Sequence, residues 1–132
     1  VMPESLGTDE DVIRFLRRHM PGRLPIDVVH FYVKRGKDLA SAKEIAAGVG
    51  ASDQAVRHAC KQLANRGVLK PVGGGMYNFG PETELRKQID VLLAQWRDPA
   101  ARKQIMPLVE RVDRETARPD GLLGRLKRLL GG

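Results

Sequence analysis

The chain has 132 residues, of which 42% are hydrophobic and 30% charged, so one globular domain, or one with an appendage, is expected. It has a single cysteine, Cys60, which excludes a disulfide framework and a cysteine-rich zinc site within one chain. No apolar run approaches the ~20 residues of a membrane span, and we expect no signal peptide. The expected location is therefore the cytoplasm, without membrane contact.

The charge is moderately basic, since 23 Lys and Arg against 16 Asp and Glu give a formal net charge of +7. Much of the excess lies between residues 34 and 72, where 8 basic residues stand against 3 acidic ones. Such an excess is typical of proteins that bind a polyanion, but a solvated lysine-rich surface also shows it. Charge therefore needs a motif beside it before it indicates a function.

Two helices are predicted before residue 37. Thr8 can cap the first, whose opening turn is acidic, and Pro21-Gly22 ends it. The second is predicted to start near Pro25 and to stop around Gly36. The stretch 38–40 is expected to be extended at most.

Capping signals predict two further helices. Ser41 and Glu44 form a capping box that opens a brief helix. Ser52 is the next N-cap, and the helix over 53–66 is closed by Gly67 in the left-handed conformation. The two helices are separated by only a short, glycine-containing turn.

A β-hairpin is predicted directly after the longer of these helices. Residues 68–72 and 76–79 form short strands joined by Gly73-Gly74-Gly75. Helix, short turn with glycine, helix is the plan of a helix-turn-helix, and a hairpin in this place is its wing. Small or apolar residues stand where crossing helices need them: Ile45, Ala46, Val49, Gly50, Ala51, Val56, Cys60 and Leu63.

One segment resembles the winged helix-turn-helix superfamily, in particular the small MarR-like and ArsR-like prokaryotic regulators. It runs from Ser41 to Phe79 and reads SAKEIAAGVGASDQAVRHACKQLANRGVLKPVGGGMYNF. The resemblance implies a mainly α fold with a small two-stranded β-hairpin wing, followed by C-terminal helices. The expected domains are a winged helix-turn-helix at 8–80, a helical dimerisation region at 81–118 and a basic amphipathic tail at 119–132.

The helix over 53–66 has an apolar side for the core and a polar side opposite it. Its only acid is Asp53, at the N-terminus, where a carboxylate stabilises the helix dipole. A recognition helix presents such a face to the major groove, where Gln can read adenine and Arg can read guanine or hold phosphate. A solvated helix face is the alternative. The residues expected to contact double-stranded DNA are Ser52, Gln54, Arg57, His58, Lys61 and Asn65 on this helix, with Lys34, Arg35, Lys37, Lys43, Lys70 and Tyr77 around it.

The wing departs from the commoner pattern, because its tip is three glycines where such regulators often carry Arg or Lys. A minor-groove reader at the tip is therefore not expected. Two functions stay open. The leading hypothesis is sequence-specific DNA binding by a transcriptional regulator, and the alternative is a winged helix that serves as a protein–protein interaction module of a larger assembly.

No catalytic constellation emerges from the sequence. The three histidines are scattered, and His58 and Cys60 are two apart on a helix, so they point in different directions and cannot share a metal. Cys60 falls on the core face, where it is most simply a small apolar residue. The glycine run lacks the lysine and the helix start of a phosphate-binding loop. We expect no enzyme activity, no metal and no cofactor.

The helix predicted after residue 81 carries an apolar stripe that is wider than a small three-helix domain needs. This stripe predicts a homodimer, in which two-fold symmetry places the recognition helices on the order of 34 Å apart. The alternative is docking of the stripe onto the first helix of the same chain. The residues of the expected dimer interface are Leu85, Ile89, Leu92, Leu93 and Trp96.

Asp98-Pro99 predicts the start of another helix, since Asp is a good N-cap and Pro suits the first helical position. Pro107 is expected to kink this helix, and the stretch 119–121 is expected to break it. The last segment, Leu122 to Leu130, carries leucines on one side and basic residues on the other. We expect its leucines to pack against preceding helices or a dimer mate rather than to lie on a membrane.

Overall fold

The computed structural model describes residues 6–131, and the side chains of residues 6–116. The elements in chain order are α1 (Asp9–His19), α2 (Arg23–Arg35), β1 (Leu39–Ser41), α3 (Ala42–Val49), α4 (Asp53–Asn65), β2 (Leu69–Gly73), β3 (Met76–Phe79), α5 (Thr83–Arg97) and α6 (Pro99–Gly131). The predicted fold class, mainly α with a small β wing and C-terminal helices, is confirmed.

The predicted N-caps Thr8, Ser41 and Ser52 are confirmed in atomic detail, whereas α2 begins at Arg23 rather than near Pro25. Thr8 caps α1 by accepting a hydrogen bond from the backbone N–H of Asp11, whose carboxylate in turn accepts from the Thr8 N–H. Ser41 and Glu44 form the same reciprocal box at the start of α3. The Ser52 hydroxyl accepts from the third residue of α4. Each cap satisfies backbone donors that the first turn of a helix leaves unpaired.

Two left-handed glycines shape the chain around α3 and α4. Gly50, with φ +72°, ends α3, and Gly67, with φ +79°, follows α4. The reversal at Gly50 lays α4 across α3, so that Ile45 and Leu63 are fully buried between the two helices and α2. Because the turn is short, the start of α4 stays close to the end of α3.

The wing belongs to a three-stranded antiparallel sheet in the order β1-β3-β2. The sequence predicted only the β2–β3 hairpin, and β1 adds an edge strand in which Leu39 pairs with Asn78. The connection through Gly73, Gly74 and Gly75 is as predicted, and all three have positive φ. Three residues of β1 cannot be recognised as a strand locally, because their pairing partner lies far along the chain.

Tyr32 fastens α2 to this sheet. Its side chain is 1% exposed, its hydroxyl donates to the carbonyl of Tyr77 at 2.8 Å, and its ring stacks on Phe79 with centroids 5.6 Å apart. Burial raises the pKa of the Tyr32 phenol well above its usual value. The hydroxyl therefore stays a donor at any physiological pH.

Replacing Tyr32 with phenylalanine should lower the free energy of unfolding by about 1–2 kcal/mol, because the ring stays and only the buried hydrogen bond is lost. Urea denaturation followed by circular dichroism measures this. The control is Tyr77→Phe, because the Tyr77 hydroxyl has no hydrogen-bond partner within residues 6–116. An equal loss in both variants would mean that the Tyr32 hydroxyl does not stabilise the sheet.

The C-terminal helices correct the predicted dimer surface. The five α5 residues expected to face a second subunit are 6% exposed or less within the single chain: Leu85, Ile89, Leu92, Leu93 and Trp96. They belong to the same apolar core as the buried residues of α1 to α4 and of α6. The stripe is therefore covered within the single chain, but the helix that α5 packs on is α6 rather than α1, the helix named in the alternative. A homodimer stays a prediction, and its surface must lie elsewhere.

The helix α6 packs against α1 and α5. Arg17 of α1 donates two hydrogen bonds to the Glu115 carboxylate of α6, at 2.7 and 2.8 Å. The predicted break at 119–121 is wrong, since α6 continues to Gly131: a proline removes one backbone donor without preventing the neighbouring turns from forming. The packing predicted for the leucines of 122–130 lies outside the described side chains.

Candidate nucleic-acid interface

The helix α4 is amphipathic in the predicted orientation. Val56, Ala59, Cys60 and Leu63 are all buried, at 1% exposure or less. Since these residues hold one side of α4 against α2 and α3, the opposite side faces outward. The predicted recognition residues are all exposed: Ser52, Gln54, Arg57, His58, Lys61 and Asn65.

A groove opens beside α4, bounded by the start of α3 and the tip of the wing, with a volume of about 360 Å³. Its lining consists of Ser41, Ala42, Lys43, Arg57, Lys61, Gly74, Gly75 and Tyr77. We refer to it as the wing groove. The backbone N–H of Ala42 donates to the carbonyl of Gly75 at 3.2 Å, which ties the wing tip to α3.

Among the described residues, the wing groove is lined by three cationic side chains, those of Lys43, Arg57 and Lys61, and by no carboxylate. None of the three has a carboxylate within 4.0 Å in the part of the chain whose side chains are described. Their charges therefore add to one another at the exposed side of α4. A groove of this kind attracts a polyanion.

Glu44 is an acid close to the wing groove, but its negative charge is compensated by other groups of the protein. Its carboxylate accepts the Ser41 N–H at 3.2 Å and pairs with the Arg35 guanidinium at 3.2 Å. The Ser41 hydrogen bonds, followed by the attraction of Arg35, hold the pKa of Glu44 below its usual value. Glu44 therefore stays ionised and forms an ion pair with Arg35. Arg35, a predicted phosphate contact, already has a carboxylate partner.

The structure separates the remaining predicted contacts. Lys34 and Arg35 line a different cleft, between α2 and α3, which shares no residue with the wing groove. His58 borders a hollow beside Pro21 and Thr116, on another side of α4. Lys37 and Lys70 are exposed outside the groove lining. Of the six residues predicted around α4, only Lys43 and Tyr77 join it in the groove.

Four residues of the groove lining were not among the predicted contacts: Ser41, Ala42, Gly74 and Gly75. The two glycines bring the wing backbone to the edge of the groove. The capping role of Ser41 was readable from sequence, but its place beside α4 depends on how β3 turns back toward α3. The exposed Val72 on β2, 52% accessible, was also not predicted.

Cys60 lies inside the α4 core face and is fully buried. Burial raises the pKa of the Cys60 thiol to about 11, so the thiol is protonated near neutral pH. The thiolate is the reactive form, so the buried Cys60 thiol is unreactive. The residue packs as a small apolar side chain.

We expect the Cys60 thiol of the folded protein to react with 5,5′-dithiobis(2-nitrobenzoate) at least about 100-fold more slowly than the same thiol in concentrated urea, because reaction requires opening of the core. Absorbance at the thiolate product's wavelength follows the reaction. Complete labelling of the folded protein within minutes would contradict the buried position.

Comparison with known proteins finds no significant match to this chain among family models, curated proteins or solved structures. Within the described residues, no group of three or more His, Cys, Asp or Glu side chains is placed to hold a metal ion. No helix there combines the length and the apolar character needed to cross a membrane. The function must therefore be inferred from the geometry of α4 and the wing groove.

Proposed function

We propose that this protein binds double-stranded DNA sequence-specifically, as a winged helix-turn-helix transcriptional regulator that reads the major groove with α4. The single observation that carries the proposal is the wing groove. Three cations that form no ion pair within residues 6–116 lie there, between the exposed side of α4, the capped start of α3 and the wing.

The chemistry of these side chains suits two kinds of contact. Gln54 and Arg57 stand toward the N-terminal half of α4, the part of a recognition helix that reaches base edges. Gln forms a bidentate pair with adenine and Arg with guanine, and these pairs specify sequence. Lys43 and Lys61 supply point charges for phosphates, which fix the register of the protein on the duplex without reading sequence.

Selection of bound duplexes from a random pool tests the proposal, because it measures binding and sequence preference together. We expect a consensus to emerge and its affinity to fall steeply with salt, since each phosphate that is neutralised contributes a slope of about −0.9 to the salt dependence. A pool that yields no consensus, with equal affinity for all duplexes, would contradict sequence-specific reading.

One observation favours the second candidate, a protein interaction module. Leu39 and Val72, 46% and 52% exposed, lie on β1 and β2, the two outer strands of the small sheet. Exposed apolar side chains on outer strands are suited to pairing with another chain. A consensus that is relaxed at one base position in Arg57→Ala but unchanged in a Leu39→Ser/Val72→Ser variant would favour DNA binding over this alternative.

A further inference from the structure

The outer strand β1 has one residue whose backbone groups point away from the sheet. In an antiparallel pair, successive residues turn their N–H and C=O groups alternately toward the neighbouring strand and away from it. The Phe79 N–H donates to the Asp38 carbonyl at 2.7 Å, and the Ala42 N–H donates to the Gly75 carbonyl at 3.2 Å. The even-numbered positions of this stretch therefore face β3, and Leu39 turns its N–H and C=O outward.

The outward groups of Leu39 have no partner in the part of the chain whose side chains are described. No hydrogen bond among residues 6–116 uses the Leu39 N–H or C=O, and its side chain is 46% exposed. A strand edge that offers a donor, an acceptor and an apolar side chain is suited to pairing with a further strand.

The other outer strand, β2, is unsuited to such pairing. It contains Pro71, which has no backbone N–H, and its register with β3 shifts between Pro71 and Gly73. A proline and an irregular register both hinder the addition of a strand. The exposed Val72 therefore lies on an edge that cannot extend a regular ladder, and β1 is the edge that can.

The edge of β1 is complementary to itself. When two copies of β1 run antiparallel about a two-fold axis at Leu39, each Leu39 N–H lies opposite the Leu39 C=O of the other copy. Residues directly opposite each other share one face of a sheet, so the two exposed leucine side chains contact each other. One donor and one acceptor on the same residue are thus satisfied together.

The charges beside Leu39 match in the same arrangement. With Leu39 at the centre, Lys37 of one copy lies opposite Ser41 of the other, where the Glu44 carboxylate accepts the Ser41 N–H at 3.2 Å. Lys37 is exposed and forms no ion pair within residues 6–116. Glu44 also pairs with Arg35, but a carboxylate can accept a further donor. The pairing therefore brings an unpaired cation to a carboxylate on both sides of the axis.

From these observations we infer that the protein forms a homodimer through β1, in which the two three-stranded sheets join into one continuous antiparallel sheet. This surface takes the place of the α5 stripe, which is buried within the single chain. The inference goes beyond DNA binding and does not depend on it, because the pairing uses neither α4 nor the wing groove. An extended peptide of another protein would use the same N–H and C=O, but it would not supply the symmetric pair of a cation and a carboxylate.

Sedimentation equilibrium of the full chain without DNA, from micromolar to millimolar concentration, tests the inference. We expect a dimer in reversible equilibrium with the monomer. Leu39→Ser/Lys37→Glu should raise the dissociation constant at least tenfold, because the apolar contact is lost and a carboxylate at position 37 repels Glu44. The matched control, Val72→Ser/Lys70→Glu, makes the same two changes at exposed positions of β2 and should leave the dissociation constant unchanged.

Hydrogen exchange of single amides shows which surface is used. The Leu39 N–H should exchange at least tenfold more slowly at concentrations that populate the dimer than in dilute solution, whereas the Val72 N–H should exchange equally at both. If circular dichroism shows the Leu39→Ser/Lys37→Glu variant to be unfolded, Lys37→Glu alone, at an exposed position, should still weaken the dimer several-fold.

Three results would each overturn the inference. The first is a chain that stays monomeric over the whole concentration range, which would leave β1 to a strand of another protein or to none. The second is a dimer in which exchange of the Leu39 amide does not depend on concentration, which would place the interface elsewhere. The third is an equal effect of the β1 and β2 variants, because net charge alone would then explain the association.

Discussion

Replacing Arg57 and Lys61 together with alanine should weaken binding to the selected DNA at least about 100-fold, since each such contact is worth about 1–3 kcal/mol. Both side chains are exposed on α4 and line the wing groove. Neither forms an ion pair within residues 6–116, so their removal should leave the fold intact. Fluorescence anisotropy with a labelled duplex at two salt concentrations measures the affinity.

The two single variants should differ in whether they change the sequence preference or the overall affinity. Arg57→Ala is expected to relax the preference at one base position, because a bidentate base contact is lost. Lys61→Ala is expected to weaken all sequences alike and to reduce the salt slope by about 1, because a phosphate contact is lost. Arg14→Ala/Lys87→Ala removes two exposed cations that do not line the wing groove and serves as the control. Undiminished binding in the Arg57→Ala/Lys61→Ala variant would exclude this face of α4 as the DNA contact.

Replacing Gly22 with alanine should cost about 2–4 kcal/mol of folding free energy, chiefly from backbone strain of about 1–3 kcal/mol, with a smaller contribution from displacing the exposed Asp113 side chain. Gly22 is buried at the N-terminus of α2, with φ +139° and ψ −179°, a conformation nearly restricted to glycine. A Cβ there would overlap the carboxylate of Asp113 in α6. Urea denaturation measures the loss.

Gly36→Ala separates the two causes. Gly36 also has positive φ, +73°, but a Cβ there would meet no heavy atom within 4 Å in the described structure. This variant should lose only the left-handed strain of about 1–2 kcal/mol. Adding Asp113→Ala to Gly22→Ala should restore part of the stability by removing the overlapping carboxylate. Equal losses at Gly22 and Gly36 would mean that α6 does not press on the start of α2.

Much of the local structure could be predicted because its causes lie within a few residues. Thr8, Ser41 and Ser52 each cap a helix by accepting a hydrogen bond from the backbone N–H three residues ahead. A hydroxyl side chain at the start of a helix is enough to predict this geometry. The inward side of α4 followed from its apolar spacing, and the outward side followed by exclusion. The candidate contacts on α4 were therefore predictable as a face, although not as a groove.

Contacts between distant segments were decided only by the tertiary structure. An apolar stripe such as that of α5 must be covered, but its spacing is the same whether α6 of the same chain or a second subunit covers it. In the same way β1 became a strand through its pairing with β3, 35 or more residues along the chain. The packing of α2 on α3 brings Arg35 to Glu44, so that Arg35 forms an ion pair there instead of lining the wing groove. The sequence by itself determined which faces are apolar or basic, and the tertiary structure decided what each face meets, because that depends on residues brought together from far along the chain.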